Sequence, residues 1–200
     1  MSKLNIYYTI MQVNSICIKK GASYYPNLWI FLDEERISDE TSFLKSLPST
    51  KNLGVVVRTK KQKHLYNKTK QVEKICRLKG FKVFVSANPQ IAMSAGADGV
   101  HFPQECRKTR LYNALSYSCS FHKLSDLRRT IDLKVKKVFI SPVFKTASSN
   151  SKKSIGITRL LFLSRSLKCE IGVLGGINKK NINTLRKKNI SHVAGVSIFF

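Results

Sequence analysis

The chain has 200 residues, 42% of them hydrophobic, and a formal net charge of +25; these values fit one globular domain with a sizeable core and exclude a disordered chain. No apolar run reaches the roughly 18 residues that a membrane helix needs, and the mixed N-terminus shows no small-residue cleavage site of a signal peptide. The five cysteines (Cys17, Cys76, Cys106, Cys119, Cys169) are odd in number and contain no C-x-x-C pair, which argues against a disulfide framework or a zinc site and for a reduced, cytoplasmic setting.

Residues 1–27 read as an N-terminal extension. From Leu28 onward, short β-rich runs alternate with longer helical ones. Strands are expected at Leu28–Leu32, Gly54–Val57, Lys82–Val85, Gly99–Phe102, Tyr117–Ser120, Lys137–Ile140, Glu170–Leu174 and His192–Val196. Helices are expected at Ser42–Leu47, Tyr66–Lys79, Pro89–Ala95, Arg107–Leu115, Leu124–Leu133, Thr158–Leu167 and Lys180–Lys188. Such alternation builds a parallel sheet. Runs such as Val55-Val56-Val57 and Val138-Phe139-Ile140 are apolar at consecutive positions, as in strands covered on both faces. Eight units fit an α/β closed barrel, a (β/α)8 or TIM barrel over residues 28–200, better than an open sheet. The sequence ends just after the eighth strand, so the last helix is expected to be truncated or absent, with residues 1–27 covering an end of the barrel instead.

Basic residues recur once per helix-like segment rather than on one arm or face. That distribution reads as solvated helix backs and points away from nucleic acid, while the positive field suits a small phosphorylated substrate.

In such a barrel, function sits where strands end. Those positions hold Arg58, Thr59 and Lys60; Ser86, Ala87 and Asn88; His101 to Glu105; Ser120 and His122; Ser141 to Ser148; Gly175 and Gly176; and Val196 and Ser197. The set is rich in phosphate donors and poor in carboxylates. In Leu174-Gly175-Gly176-Ile177-Asn178 the paired glycines leave N–H groups uncovered by side chains. The basic segment that follows is expected to aim a helix N-terminus at the same anion.

Five segments carry a resemblance. Gly96 to Glu105 (GADGVHFPQE) is similar to the GADGVHLGQED element of the thiamine-phosphate synthase and thiazole tautomerase family. Cys119 to His122 resembles its G-S-x-H element, and Ser141 to Ser148 its GPVFPTxTK element. Leu174 to Asn178 is similar to IGGIN, and Val193 to Ser197 to the closing GVAVVS. The segments come in family order with family-like spacing over residues 28–200. Leu28 to Arg36 with Gly54 to Arg58 further resembles a divergent bacterial branch.

The resemblance implies a TIM barrel acting in thiamine biosynthesis. The family reaction joins a pyrimidine, carried as its pyrophosphate, to a thiazole phosphate. By resemblance Gly175, Gly176, Val196 and Ser197 hold the thiazole phosphate. Arg58 and Lys60 face the pyrophosphate, and Gln104, Ser120, Thr146 and Ser148 add donors. The family uses Mg²⁺ for coupling, but its two metal-binding Asp positions read Ala87 and Cys106 here, so no metal ligand is assigned. The Gln of its Q-x-R-x-K pattern reads Val56, its pyrimidine-binding Asn reads Ser86, and the Lys of its T-x-T-K element reads Ser149. The implied readings are a synthase-like transferase with a degenerate metal site, a metal-independent thiazole tautomerase with His122 as acid/base, or a non-catalytic thiazole- or thiamine-phosphate-binding barrel. His101 reads as structural. The expected partners are phosphorylated small molecules, with a homo-oligomer left open.

Overall fold

The structure, a computed structural model, describes residues 3–17, 26–106, 109–146 and 153–199. Eight strands pair in parallel in chain order and close on themselves. They are β1 (Leu28–Phe31), β2 (Leu53–Val57), β3 (Lys82–Ser86), β4 (Gly99–Phe102), β5 (Ser116–Phe121), β6 (Lys137–Ile140), β7 (Glu170–Leu174) and β8 (His192–Ala194). Closure is made by β1, which pairs Leu28 with Leu53 of β2 and Trp29 with Ala194 of β8. Every residue of β1, β2, β4 and β6 is buried, because helices cover the outside and side chains fill the inside.

The helices are α1 (Lys3–Ile16), α2 (Glu40–Ser46), α3 (Leu65–Lys79), α4 (Pro89–Ala95), α5 (Leu127–Asp132) and α6 (Gly156–Arg165). Local chemistry sets their ends. Asp39 caps α2 through the Ser42 N–H, and Asn88 caps α4 with Pro89 in its first turn. Gly80 and Gly96 end α3 and α4 in the left-handed conformation that glycine adopts readily.

Four expectations change. The segment expected as a helix over Leu124–Leu133 divides into a 3₁₀ turn, Leu124–Asp126, and α5. Thr109–Leu115 forms no helix among the described residues of the expected Arg107–Leu115. The expected helix Lys180–Lys188 contains only a four-residue 3₁₀ turn, Ile182–Leu185. There Asn178 and Asn181 trade side-chain bonds with local N–H groups, and Lys187 and Asn189 take left-handed backbone, so turn geometry wins over helix. Finally, the extension forms α1, whose Ile6, Ile10, Val13 and Ile16 are buried at helical spacing. Helix α1 packs against β1 and the 182–185 turn, and Gln12 bonds Asn183 at 3.2 Å. It lies on the barrel wall; Pro26 covers the barrel's lower end, its carbonyl accepting from the Trp29 indole at 3.1 Å. No helix follows β8 among the described residues.

Inside the barrel, aromatic rings replace the usual aliphatic layers. Trp29, Phe31, Phe84 and Phe139 form their own buried cluster with edge-to-face contacts. Strand glycines make the room: a Cβ on Gly54 would sit 2.6 Å from the Trp29 ring, and one on Gly172 2.5 Å from Phe139. This ring plug is the floor on which the upper site stands.

Candidate active site at the barrel mouth

A cavity of about 210 Å³ opens at the C-terminal ends of the strands. Of the expected site residues it brings together Arg58, His122, Thr146, Gly175, Gly176, Val196 and Ser197, and it adds Phe31, Asp33, Arg36 and Ser141. Ser148 lies outside the described residues.

The glycine pair does more than uncover N–H groups. Gly175 (φ +98°) and Gly176 (φ +67°) lie against the β6 loop, whose Phe144 N–H donates to the Gly175 carbonyl at 3.0 Å. A Cβ on Gly176 would stand 2.7 Å from the Phe144 carbonyl carbon, and one on Gly175 2.8 Å from Pro142 Cα. Only glycine lets these two loops close together. Gly176, Val196 and Ser197 line the cavity, and no described residue accepts from their N–H groups. The helix dipole expected behind them is missing, because the segment after β7 is only a short turn. Beside them Arg36 donates to Ser197 Oγ at 3.4 Å and Thr146 Oγ1 at 3.3 Å.

His122 stands on the rim after β5. Its Nδ1 is 2.5 Å from the Ser141 carbonyl oxygen, an acceptor only, so Nδ1 carries a proton. The buried Asp126 carboxylate accepts from the backbone N–H groups of His122 and Lys123 at 2.9 and 3.2 Å, fixing this turn. Arg129, buried on α5, braces the same region by donating to the carbonyls of Pro103 and Ser120.

Ser120 differs from expectation. Its hydroxyl lies 3.0 Å from His101 Nε2, while His101 Nδ1 lies 3.0 Å from the Ser118 hydroxyl. His101 is therefore a structural bridge inside the barrel, set edge-on to Phe31 and Phe139. Burial first, then the positive charges of Arg58 and Arg129, push its pKa down to about 3.

A second cavity, about 650 Å³, lies beside the first and is lined by Asp33, Glu34, Glu35, Arg58, Lys60, Ser86 and Pro103, among others. Arg58 and Lys60 meet here as expected, but already paired. Arg58 donates to the Leu32 carbonyl at 2.7 Å and to Asp33 at 2.8 Å, and Lys60 pairs with Glu35. Lys68 holds Glu34 at 2.8 Å and Glu40 at 2.7 Å. Five of the chain's eleven acidic residues sit in the segment 33–40, which runs from the loop after β1 into the start of α2. Gln104 lies in the turn after β4 and lines neither cavity.

These residues do not fit Mg²⁺. Ala87 and Cys106 offer no carboxylate, Asn88 spends its side-chain oxygen capping α4 at 2.9 Å, and the carboxylates of Asp33, Glu34 and Glu35 are each held by a cation. Among the described residues no group of three or more His, Cys, Asp or Glu side chains is placed to hold a metal.

A closed parallel barrel with its cavity at the strand C-termini is the layout of a (β/α)8 enzyme. Residues 35–199 match the thiamine monophosphate synthase family, and the chain belongs to that family. It is 25% identical over 183 residues to the putative thiamine-phosphate synthase 2 of Aquifex aeolicus, covering 87% of this chain and 97% of that protein. With the thiamine-phosphate synthase of Persephonella marina it shares 26% over 148 residues, 72% of this chain and 71% of that one. It spans only 38% of the length of a Prochlorococcus marinus thiamine-phosphate synthase, at 27% identity. Its fold is similar to that of thiamine phosphate pyrophosphorylase from Pyrococcus furiosus, with TM-score 0.68 and 19% identity over 87% of this chain and 90% of that one. It is also similar to 3-keto-L-gulonate-6-phosphate decarboxylase from Vibrio cholerae, with TM-score 0.59 and 12% identity over 86% and 88%. No helix among the described residues is long and apolar enough to cross a membrane.

Of the functional residues, sequence reasoning missed Arg36 and the pairing of Asp33. Both lie in the loop after β1, where no glycine pair or cationic run marks them.

Proposed function

We propose that this chain is a thiamine-phosphate synthase-like transferase of thiamine biosynthesis, joining a pyrimidine diphosphate to a thiazole phosphate. One observation carries the reading beyond family membership. A single mouth holds an anion cradle of Gly176, Val196 and Ser197 N–H groups next to the Arg58 and Lys60 face, so two anionic substrates meet there. The thiazole phosphate takes the cradle, and the diphosphate takes the second cavity. The bond between the pyrimidine methylene carbon and the diphosphate oxygen breaks, and its electron pair leaves with the diphosphate. The thiazole nitrogen then donates its lone pair to that carbon. Arg58 and Lys60 exchange their carboxylate partners for the diphosphate and stabilise the charge it gains. No step is assigned to Mg²⁺, for which the side chains present are unsuited.

A second reading has its own observation. The Nδ1 proton of His122 is locked on the Ser141 carbonyl at 2.5 Å beside the anion cradle, which suits a base that moves a proton on a bound thiazole carboxylate phosphate. The test is to incubate the full chain with each substrate set, with and without chelator, and follow product by chromatography. Thiamine phosphate formed despite chelator supports the first reading. Tautomerisation alone, lost in His122→Gln, supports the second. Turnover that chelator abolishes overturns the assignment of a metal-independent site.

A further inference from the structure

We propose that Arg36 is the phosphate-binding cation of this barrel. The inference rests on the reading that a phosphate occupies the cradle at Gly176 and Ser197, and it concerns the source of the charge that holds it.

The cradle itself is neutral. It consists of backbone N–H groups and the hydroxyls of Thr146 and Ser197. A helix of normal length after β7 would add the partial positive charge of its N-terminus. Here that segment is a four-residue 3₁₀ turn, too short to sum a useful dipole. A dianion set among neutral donors needs a full cation nearby.

Two cationic side chains line this cavity among the described residues, Arg36 and Arg58. Arg58 is engaged by short bonds from two of its nitrogens, to Leu32 O at 2.7 Å and Asp33 at 2.8 Å. Arg36 is held loosely. Its contacts to Ser197 Oγ (3.4 Å) and Thr146 Oγ1 (3.3 Å) are long, and its approach to Asp33 is 3.9 Å. It reaches from the β1 loop to hydroxyls on the β6 and β8 loops, so its two terminal nitrogens stand where a phosphate between those loops would place oxygens. On binding, phosphate oxygens replace the hydroxyls as acceptors, and two long neutral bonds become charge-assisted ones. Asp33 keeps the fork aimed during the exchange. A planar, two-pronged donor of this kind matches phosphate better than a lysine ammonium does.

The test is calorimetric titration of the full chain with inorganic phosphate at fixed ionic strength. Arg36→Gln is expected to weaken binding by about tenfold or more, the scale of a lost charge-assisted bond. Arg36→Lys, which keeps the charge but not the fork, is expected to fall between. Arg128→Gln, which removes an exposed charge paired with Asp132 on α5, is expected to bind like the wild type. Full affinity in Arg36→Gln, with loss in Gly176→Asp, overturns the role of Arg36 and leaves the cradle standing. An equal loss in Arg128→Gln also overturns it, by showing a general charge effect. A wild-type chain that binds no phosphate overturns the cradle and this inference together. Thermal melts of each variant separate binding loss from misfolding.

Discussion

At pH 5 the fold is expected to be about 2 kcal/mol less stable than at pH 7.5, chiefly because of His101. Its ring is 3% exposed, sits against two phenylalanine edges, and is bonded on both nitrogens by hydroxyls that carry no charge. Burial, then Arg58 and Arg129, hold it neutral down to about pH 3, whereas an unfolded chain takes up the proton near 6.5. A depressed folded pKa therefore gives stability that is complete above 6.5 and is lost as pH falls from there toward 3. Between 6.5 and 5.0 the unfolded chain gains roughly 1.5 units at about 1.4 kcal/mol each, a figure that holds as long as the folded value stays well below 5. His192, also pushed down by burial, acts in the same direction, while Glu40, pushed up by burial, partly offsets both near the foot of this window. Urea denaturation at the two pH values measures the difference, and His101→Gln removes most of it. Equal stability at both pH values, or an unchanged difference in His101→Gln, refutes the reasoning.

Gly176→Ala forces a side chain into left-handed backbone (φ +67°) and places it 2.7 Å from the Phe144 carbonyl carbon; a loss of about 2–5 kcal/mol in denaturant midpoint stability is expected, together with weakened phosphate binding. Ala87 already has φ +65°, a conformation that Asp and Asn tolerate better than Ala, so Ala87→Asp is expected to melt no lower than the wild type. Combined with Cys106→Asp, it should create Mg²⁺ binding detectable by calorimetry and Mg²⁺-dependent release of diphosphate; an unchanged Mg²⁺ titration would count against the placement of these two positions at the metal site.

What could be read from the chain follows what is local. All eight strands were legible because fully buried parallel strands leave consecutive β-branched and aromatic residues, as in Val55-Val56-Val57. The ends of α4 were legible because Asn88, Pro89 and Gly96 each act on their own backbone. The helical spacing of Ile6, Ile10, Val13 and Ile16 was present in the sequence, but Asn5, Gln12 and Asn14 among them obscured it. The segment 180–188 misled because its lysines favour helix while Asn178 and Asn181 bond the backbone of a turn. Ser120 went astray through barrel geometry. It shares a strand face with Ser118, and the pairing of β5 with β4, which sets Ser118 opposite His101, brings both hydroxyls to that ring. The pairing of Arg58 with Asp33 spans 25 residues of sequence, and nothing in either segment announces the other.

The acid-rich loop after β1 gives the molecule an uneven electrostatic surface. With 36 basic side chains against 11 acidic ones, the body draws anions of every size from a distance. The entrance is different, because four of the eleven carboxylates, those of Asp33, Glu34, Glu35 and Glu40, are set there against Arg58, Lys60 and Lys68. An RNA or DNA strand needs an unbroken row of cations to exchange for its counterions, and at this rim the row is interrupted by carboxylates. The collar thus opposes the body: cations dominate the surface at large, and at the doorway they are cancelled locally by carboxylates.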